Sequence, residues 1–299
     1  MTLRLEGTYS ALVTPFLDEP GQPVDWASLD KLLDAQIAGG VAGVVPCGTT
    51  GESPTLTHEE HAQVIERTVK RVKGRLQVIA GTGSNSTAEA IAMSQHAAGA
   101  GADAVMVVVP YYNKPTQEGL YRHFVAIAES VRVPVVLYNI PGRSVVDLAP
   151  ETLARIAEAA PNVIGVKEAT GNVLRTQKIA QVMGGRLAVL SGDDALTLPM
   201  IAVGARGVIS VTSNVLPAEV VRATKLALEG KAEEARSAHF ALLPVHDAMF
   251  LEANPAPVKT ALAVRGMMRD GVRPPLVACA EATRRTIAAT LEAYARGRG

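Results

Sequence analysis

Short apolar runs rich in β-branched residues alternate along most of the chain with segments whose apolar positions have helical spacing. The runs have strand length, and their starts lie about 28 residues apart on average, which is the length of one strand–helix unit. We therefore predict eight strand–helix units in succession. The predicted strands are Tyr9–Val13, Gly43–Pro46, Leu76–Ala80, Ala104–Val108, Val135–Tyr138, Val163–Val166, Leu187–Leu190 and Arg206–Ser210.

The segments between the strands carry helix signals. Leu29, Leu33 and Ile37 fall on one helical face, and two glycines follow them as a stop signal. Thr57 and Ser86 each stand three residues before a glutamate, the pattern of a capping box. These signals predict helices between the strands.

Eight nearly continuous apolar strands indicate parallel strands that are buried on both faces. Regular alternation with helices favours an α/β fold, a closed (β/α)8 TIM barrel. An open doubly wound sheet is the alternative, and its dinucleotide-binding form is disfavoured because no G-x-G-x-x-G follows the first strand. After Gly230 the pattern is helical, so we predict a barrel carrying the active site over residues 1–230 and a helical C-terminal extension over residues 231–299.

Composition narrows the possible partners and the compartment. The 299 residues contain 29 Lys and Arg and 29 Asp and Glu, and zero net charge argues against a nucleic-acid or membrane-surface partner. Cys47 and Cys279 are far apart, which predicts no disulfide and favours a reducing compartment. With no signal-peptide pattern and no apolar run of membrane-spanning length, we expect a cytoplasmic protein.

Candidate chemistry gathers where the predicted strands end, the end at which barrels of this type carry their active sites. Lys167 directly follows the sixth strand, and burial there would favour the neutral amine that Schiff-base formation with a carbonyl requires. A lysine that simply reaches solvent is equally compatible with this position. Tyr138 ends the neighbouring strand and could move protons during that reaction, although a lone tyrosine is more often a core residue.

Other strand ends offer groups for a carboxylate. Thr49 and Thr50 lie in a glycine-flanked turn, and Arg143 follows a Pro-Gly pair. Taken singly, each is more typical of an ordinary loop or surface residue. Tyr111 and Tyr112 share one loop, a notable concentration in a chain with 4% aromatic residues.

The sequence gives little support to a metal site or to a serine hydrolase. His58 and His61 do not have the H-E-x-x-H spacing of zinc enzymes. No G-x-S-x-G elbow is present either. We therefore expect no catalytic metal.

Taken together, three motifs resemble those of the pyruvate-dependent class I aldolase superfamily and, within it, the dihydrodipicolinate synthase family. They are Gly48–Glu52, Tyr138–Arg143 and Gly165–Ala169, and the resemblance extends from Gly7 to the last helix. It implies a lyase that condenses pyruvate with L-aspartate-4-semialdehyde to 4-hydroxy-tetrahydrodipicolinate, the first committed step of diaminopimelate and lysine biosynthesis. The alternative is a related Schiff-base aldolase that cleaves a sugar-derived 2-keto acid. Such relatives generally lack an arginine at the place of Arg143.

The resemblance also assigns roles and partners. It implies no organic cofactor, only a covalent Schiff base between Lys167 and pyruvate, and a homotetramer built as a dimer of dimers, in which Tyr112 enters the site of a neighbouring subunit. Lysine is expected to inhibit the enzyme, with Pro54 as a departure from the usual alanine beside the inhibitor pocket. A non-catalytic sensor barrel would need a broken lysine–tyrosine–threonine set, which is intact here. The implied catalytic residues are Lys167, Tyr138, Thr49 and Tyr112; the substrate-binding residues are Thr49, Thr50, Arg143, Gly192 and Ile209; and the lysine-binding residues are Ser53, His58, His61, Asn85, Glu89 and Tyr111.

Overall fold

A closed barrel of parallel strands forms the centre of the molecule. The computed structural model describes residues 3–297, and within them eight strands pair in chain order, with β8 returning to β1. The pairing of Gly7 with Gly207 and of Tyr9 with Ile209 closes the ring, so the closed barrel is confirmed and the open sheet was the wrong alternative. The strands are β1 (Gly7–Ala11), β2 (Gly43–Val45), β3 (Gln77–Gly81), β4 (Ala104–Val108), β5 (Val135–Asn139), β6 (Val163–Glu168), β7 (Ala188–Ser191) and β8 (Gly207–Ser210).

The strands bury side chains on both sides, which explains their nearly continuous apolar sequences. Inside the barrel, Tyr9, Val45, Met106 and Ile209 belong to one buried cluster. Outside it, a larger apolar cluster fills the space between the strands and the surrounding helices. The barrel is therefore a packed core, and open space for a ligand lies beyond the strand ends.

Helices follow the strands around the outside of the barrel. Their starts use local capping: Thr57 Oγ1 accepts from the Glu60 amide, and the Glu60 carboxylate accepts from the Thr57 amide, which confirms the first predicted capping box. The helices are α1 (Trp26–Gly39), α2 (His58–Val72), α3 (Thr87–Gly99), α4 (Gln117–Glu129), α5 (Pro141–Ser144), α6 (Pro150–Ala159), α7 (Val173–Met183), α8 (Thr197–Ala202) and α9 (Pro217–Leu228).

Three further helices follow α9: α10 (Ala232–Ala248), α11 (Ala256–Val264) and α12 (Glu281–Arg296). Helix α10 packs on α9, and α12 packs on both α10 and α11. Helix α11 is almost completely buried from Ala256 to Leu262. The helical character predicted beyond Gly230 is thus confirmed, whereas the division into two domains remains a prediction.

The cysteines and the lengths of the helices bear on two further expectations. Cys47 and Cys279 are both free thiols, so the prediction of no disulfide between them is confirmed. Within residues 3–297, no helix is long and apolar enough to cross a bilayer.

Candidate active site

A cavity of about 410 Å³ opens beyond the carboxyl ends of the strands. Eight of the residues singled out from the sequence border it, drawn from the predicted catalytic, substrate-binding and lysine-binding sets alike. They are Thr49, Ser53, His58, His61, Glu89, Tyr111, Tyr138 and Arg143. The two predicted sites therefore adjoin within one continuous space in the single chain.

Lys167 and Tyr138 lie side by side on adjacent strands. The register of β5 and β6 pairs the two residues directly, and each side chain is almost fully buried. Lys167 Nζ lies 4.2 Å from the centre of the Tyr138 ring, and the ring itself borders the cavity. Among the described residues Lys167 has no carboxylate partner, so its amine is available to a ligand that enters beside Tyr138.

The next register pair fixes this arrangement. Asn139 stands opposite Glu168, and Asn139 Nδ2 donates to the Glu168 carboxylate at 3.3 Å. Glu168 is buried and also accepts from Arg175 Nε at 3.0 Å. Because a one-residue slip would turn every side chain to the opposite face, these bonds keep Lys167 and Tyr138 on the same side of the sheet.

The turn after β2 carries two threonines with backbone groups free to bind. Its internal hydrogen bonds run from the amides of Gly51 and Glu52 to the carbonyls of Gly48 and Thr49, both at 3.1 Å. Within residues 3–297, the amides of Thr49 and Thr50 form no hydrogen bond. Two adjacent unused N–H groups beside a cavity make a binding place for a carboxylate.

Close backbone contact shapes this turn. A Cβ atom on Gly81 of β3 would lie 2.3 Å from the Cys47 carbonyl oxygen, so only glycine allows the approach. Thr50 is buried, and its hydroxyl accepts from Asn254 Nδ2 at 3.1 Å. A residue between α10 and α11 therefore supports the turn from outside the barrel.

Arg143 lies in the single-turn helix α5 that follows β5. Its side chain is exposed at the cavity, and one Nη atom donates to the Asn254 carbonyl at 3.5 Å. Arg143 thus borders the cavity while it stays exposed, and it follows by five positions the strand residue Tyr138 that pairs with Lys167. This position suits a clamp for a second anionic substrate.

The remaining predicted substrate-binding residues are Gly192, after β7, and Ile209, in β8. A Cβ atom on Gly192 would lie 2.6 Å from the Cβ of Ala169, so glycine is needed for the backbone to pass. Ile209 is buried in the interior cluster of the barrel. Neither residue borders the 410 Å³ cavity.

The predicted lysine-binding residues are centred on Glu89. His58 Nε2 lies 2.9 Å from a Glu89 carboxylate oxygen, and the Ser84 hydroxyl donates to the other. The capping box expected at Ser86 is therefore only half formed: Ser86 accepts from the Glu89 amide, while the Glu89 side chain turns toward the cavity. Among the described residues this is the carboxylate that lines the cavity, and it suits a cationic ligand group.

The contacts of His61 and Asn85 involve backbone carbonyl groups. His61 is buried, with Nε2 2.9 Å from the Gly81 carbonyl, and burial lowers the pKa of its imidazole. Asn85 does not border the cavity, and its carbonyl accepts from Asn113 Nδ2 at 2.8 Å.

The two tyrosines of the β4 loop have different surroundings. Tyr111 borders the cavity, whereas Tyr112 is 89% exposed and does not. The backbone of Tyr112 is left-handed, with φ at 72°, a conformation that few residues other than glycine adopt. The single chain therefore does not bring Tyr112 to Lys167.

Sequence reasoning missed a buried charge cluster behind the Thr49–Thr50 turn. Glu52 forms an ion pair with Lys259 of α11, and both side chains are fully buried. The backbone amide of Arg273 donates to the second Glu52 oxygen at 2.9 Å. A signal was available, because Lys259 is the sole charged residue in the stretch Ala256–Val264, whose other residues are apolar except for Thr260.

A closed (β/α)8 barrel that buries a lysine against a tyrosine at the carboxyl ends of adjacent strands defines a class: barrel enzymes that form a Schiff base with a carbonyl substrate. The model of the dihydrodipicolinate synthetase family matches residues 4–294. The chain belongs to this family.

Relatives agree over nearly their whole lengths. The 4-hydroxy-tetrahydrodipicolinate synthase of Sorangium cellulosum is 57% identical, over 96% of this chain and 95% of that protein. The dihydrodipicolinate synthase of Acinetobacter baumannii, solved as a complex with pyruvate, is 43% identical with a TM-score of 0.95, covering 98% of this chain and 99% of that one. The enzyme of Cyanidioschyzon merolae, solved with lysine bound, is 37% identical with a TM-score of 0.94, covering 97% and 98%.

Proposed function

We propose that this protein is a lyase that condenses pyruvate with L-aspartate-4-semialdehyde to give 4-hydroxy-tetrahydrodipicolinate. The observation that carries the proposal is the buried pair of Lys167 and Tyr138 beside a cavity that also holds Thr49 and Arg143. Family membership and the high identity to named synthases support the same reaction.

The first half of the reaction uses the lysine as a nucleophile. The Lys167 amine adds to the keto carbon of pyruvate, and the carbinolamine loses water to give an imine. The Tyr138 hydroxyl, with Thr49 next to it in the relay, delivers and removes the protons of these steps. The free amides of Thr49 and Thr50 bind the pyruvate carboxylate and orient the keto carbon toward Nζ.

The second half forms the carbon–carbon bond. Loss of a proton from the pyruvate methyl group converts the imine to an enamine, whose terminal carbon attacks the aldehyde. The substrate's own amine then displaces Lys167 by transimination, which closes the ring and regenerates the free lysine. Arg143 binds the carboxylate of the aldehyde substrate at the cavity mouth.

We further propose that lysine inhibits the enzyme by binding beside Glu89. The carboxylate of Glu89 and the imidazole of His58 offer partners for its ammonium and carboxylate groups. The lysine-bound relative supports this assignment. The proposed inhibitor and substrate sites adjoin in one cavity. Lysine bound at Glu89 therefore acts on the substrate-binding residues over a short distance.

One experiment tests the reaction and its regulation together. Borohydride reduction in the presence of pyruvate is expected to add a covalent mass to Lys167, and lack of any adduct would refute every Schiff-base mechanism. Turnover is then compared between aspartate-4-semialdehyde and sugar-derived 2-keto acids, with and without added lysine. Preference for the keto acids would replace the proposed reaction with aldol cleavage.

A further inference from the structure

A cluster of four charged side chains, three of them buried, lies behind the active-site turn and outside the cavity. Its members are Glu52 at the end of the turn, Glu60 in the first turn of α2, Lys259 in α11 and Arg273 in the segment that follows α11. Two carboxylates balance two cations. None of these side chains has a role in the steps described above.

Glu52 is the centre of the cluster. One carboxylate oxygen pairs with Lys259 Nζ, and the other accepts from the Arg273 amide at 2.9 Å. Lys259 also donates to the Gly271 carbonyl at 2.9 Å and lies 4.1 Å over the Phe16 ring. Burial lowers the pKa of Lys259 to about 8, so its ammonium form depends on the adjacent carboxylate.

Arg273 extends the cluster to the opening of α2. Its guanidinium forms two bonds with the Glu60 carboxylate, at 2.6 and 2.7 Å. It also donates to the Thr55 carbonyl at 2.9 Å, and its Cζ lies 4.3 Å from the centre of the Phe16 ring, which Lys259 contacts as well. Arg273 thereby connects the C-terminal segment to the turn, through Glu52, and to the first turn of α2, through Glu60.

Stability alone does not account for this arrangement. A buried ion pair is seldom more stable than apolar side chains of the same volume, because both charges lose their hydration. Glu52 also has a left-handed backbone, with φ at 54°, which disfavours a residue with a side chain. Its amide donates to the Thr49 carbonyl at 3.1 Å, so Glu52 belongs to the turn by its backbone and to the charged cluster by its side chain.

We propose that Glu52, Lys259 and Arg273 are positioning residues for substrate binding. Held from behind by the Lys259 ammonium and the Arg273 backbone amide, Glu52 fixes the turn so that the amides of Thr49 and Thr50 face the carboxylate of the keto-acid substrate. The cluster thus controls affinity for pyruvate, while the amine chemistry stays with Lys167. This inference rests on the proposed function.

The test measures borohydride trapping of Lys167 as a function of pyruvate concentration. Glu52→Gln keeps the shape of the side chain and removes its charge. We expect the pyruvate concentration for half-maximal trapping to rise about tenfold, the effect of one weakened charge-assisted hydrogen bond. The maximal extent of trapping and the KM for the aldehyde are expected to stay at wild-type values.

Two controls separate positioning from general loss of stability. Glu151→Gln removes an exposed ion pair with Lys178 and is expected to leave half-maximal trapping unchanged. Ile156→Ala opens a cavity under α6, which contributes nothing to the cluster, and is expected to lower the Tm without changing pyruvate affinity. If Glu52→Gln behaves like Ile156→Ala, the positioning role is refuted.

A double variant keeps the test decisive if Glu52→Gln fails to fold. Glu52→Gln with Lys259→Met leaves no unpaired buried charge, and we expect it to fold and still to need about tenfold more pyruvate. Wild-type affinity in this variant would overturn the inference. Absence of trapping in the wild-type protein would instead refute the proposed function, so the two failures are distinguishable.

Discussion

At the scale of single residues, position in the barrel determines the chemistry that each side chain can perform. Lys167 and Arg143 both carry a cationic group, yet one is buried against Tyr138 and the other is exposed at the cavity mouth. The buried amine can become a nucleophile, whereas an arginine keeps its charge and binds anions. The structure thus supports separate roles for two residues of the same charge.

The role proposed for Arg143 leads to a prediction. Arg143→Ala is expected to raise the KM for aspartate-4-semialdehyde by about tenfold or more, because a charge-assisted contact with its carboxylate is lost. Pyruvate trapping on Lys167 should stay as in the wild type. Steady-state kinetics with each substrate varied in turn checks both statements, and unchanged kinetics would contradict the synthase assignment.

At the scale of elements, polar contacts between neighbouring helices supplement apolar packing. His123 of α4 lies against α3, where its Nδ1 meets the Thr87 hydroxyl at 2.9 Å. The imidazole is buried, and this burial lowers the pKa of His123 from 6.5 to about 4. The packing of α3 on α4 therefore requires the neutral ring.

This contact makes stability depend on pH. Between pH 6.5 and 4 the unfolded chain binds a proton at His123 that the folded chain does not, so stability falls as the pH falls through this range. The loss reaches at most about 3 kcal/mol at pH 4. Urea unfolding at pH 7 and pH 4.5 should show a smaller difference for His123→Gln than for the wild type, and an equal difference would rule out His123 as the source.

At the scale of the whole molecule, the C-terminal region contacts the candidate active site. Asn254 contacts both Thr50 and Arg143, and Lys259 anchors the turn through Glu52. The region beyond residue 230 thus contacts residues of the candidate site and also packs on the barrel helices. Tyr112, by contrast, points away from its own cavity, which supports the proposal that it serves a second copy of the chain.

Mixing two inactive variants tests the shared site. Lys167→Ala and Tyr112→Phe are each expected to lose most of their activity. If Tyr112 enters the neighbouring site, refolding the two variants together restores roughly a quarter of wild-type activity, since half of the random dimers are mixed and each has one intact site. No recovery in the mixture, with dimers shown by sedimentation, would mean that Tyr112 does not serve the neighbouring subunit's site.

The strand–helix repeat, the barrel and the identity of the main candidate residues could be predicted from the amino-acid sequence. This was possible because strand periodicity and local motifs such as Gly48–Glu52 and Gly165–Ala169 depend on neighbouring residues. Only the tertiary structure revealed the partners of Glu52, which lie more than 200 positions away at Lys259 and Arg273. It also decided that Tyr138 faces Lys167 and that Tyr112 does not. These facts follow from strand register and from the packing of distant segments, which no local pattern encodes.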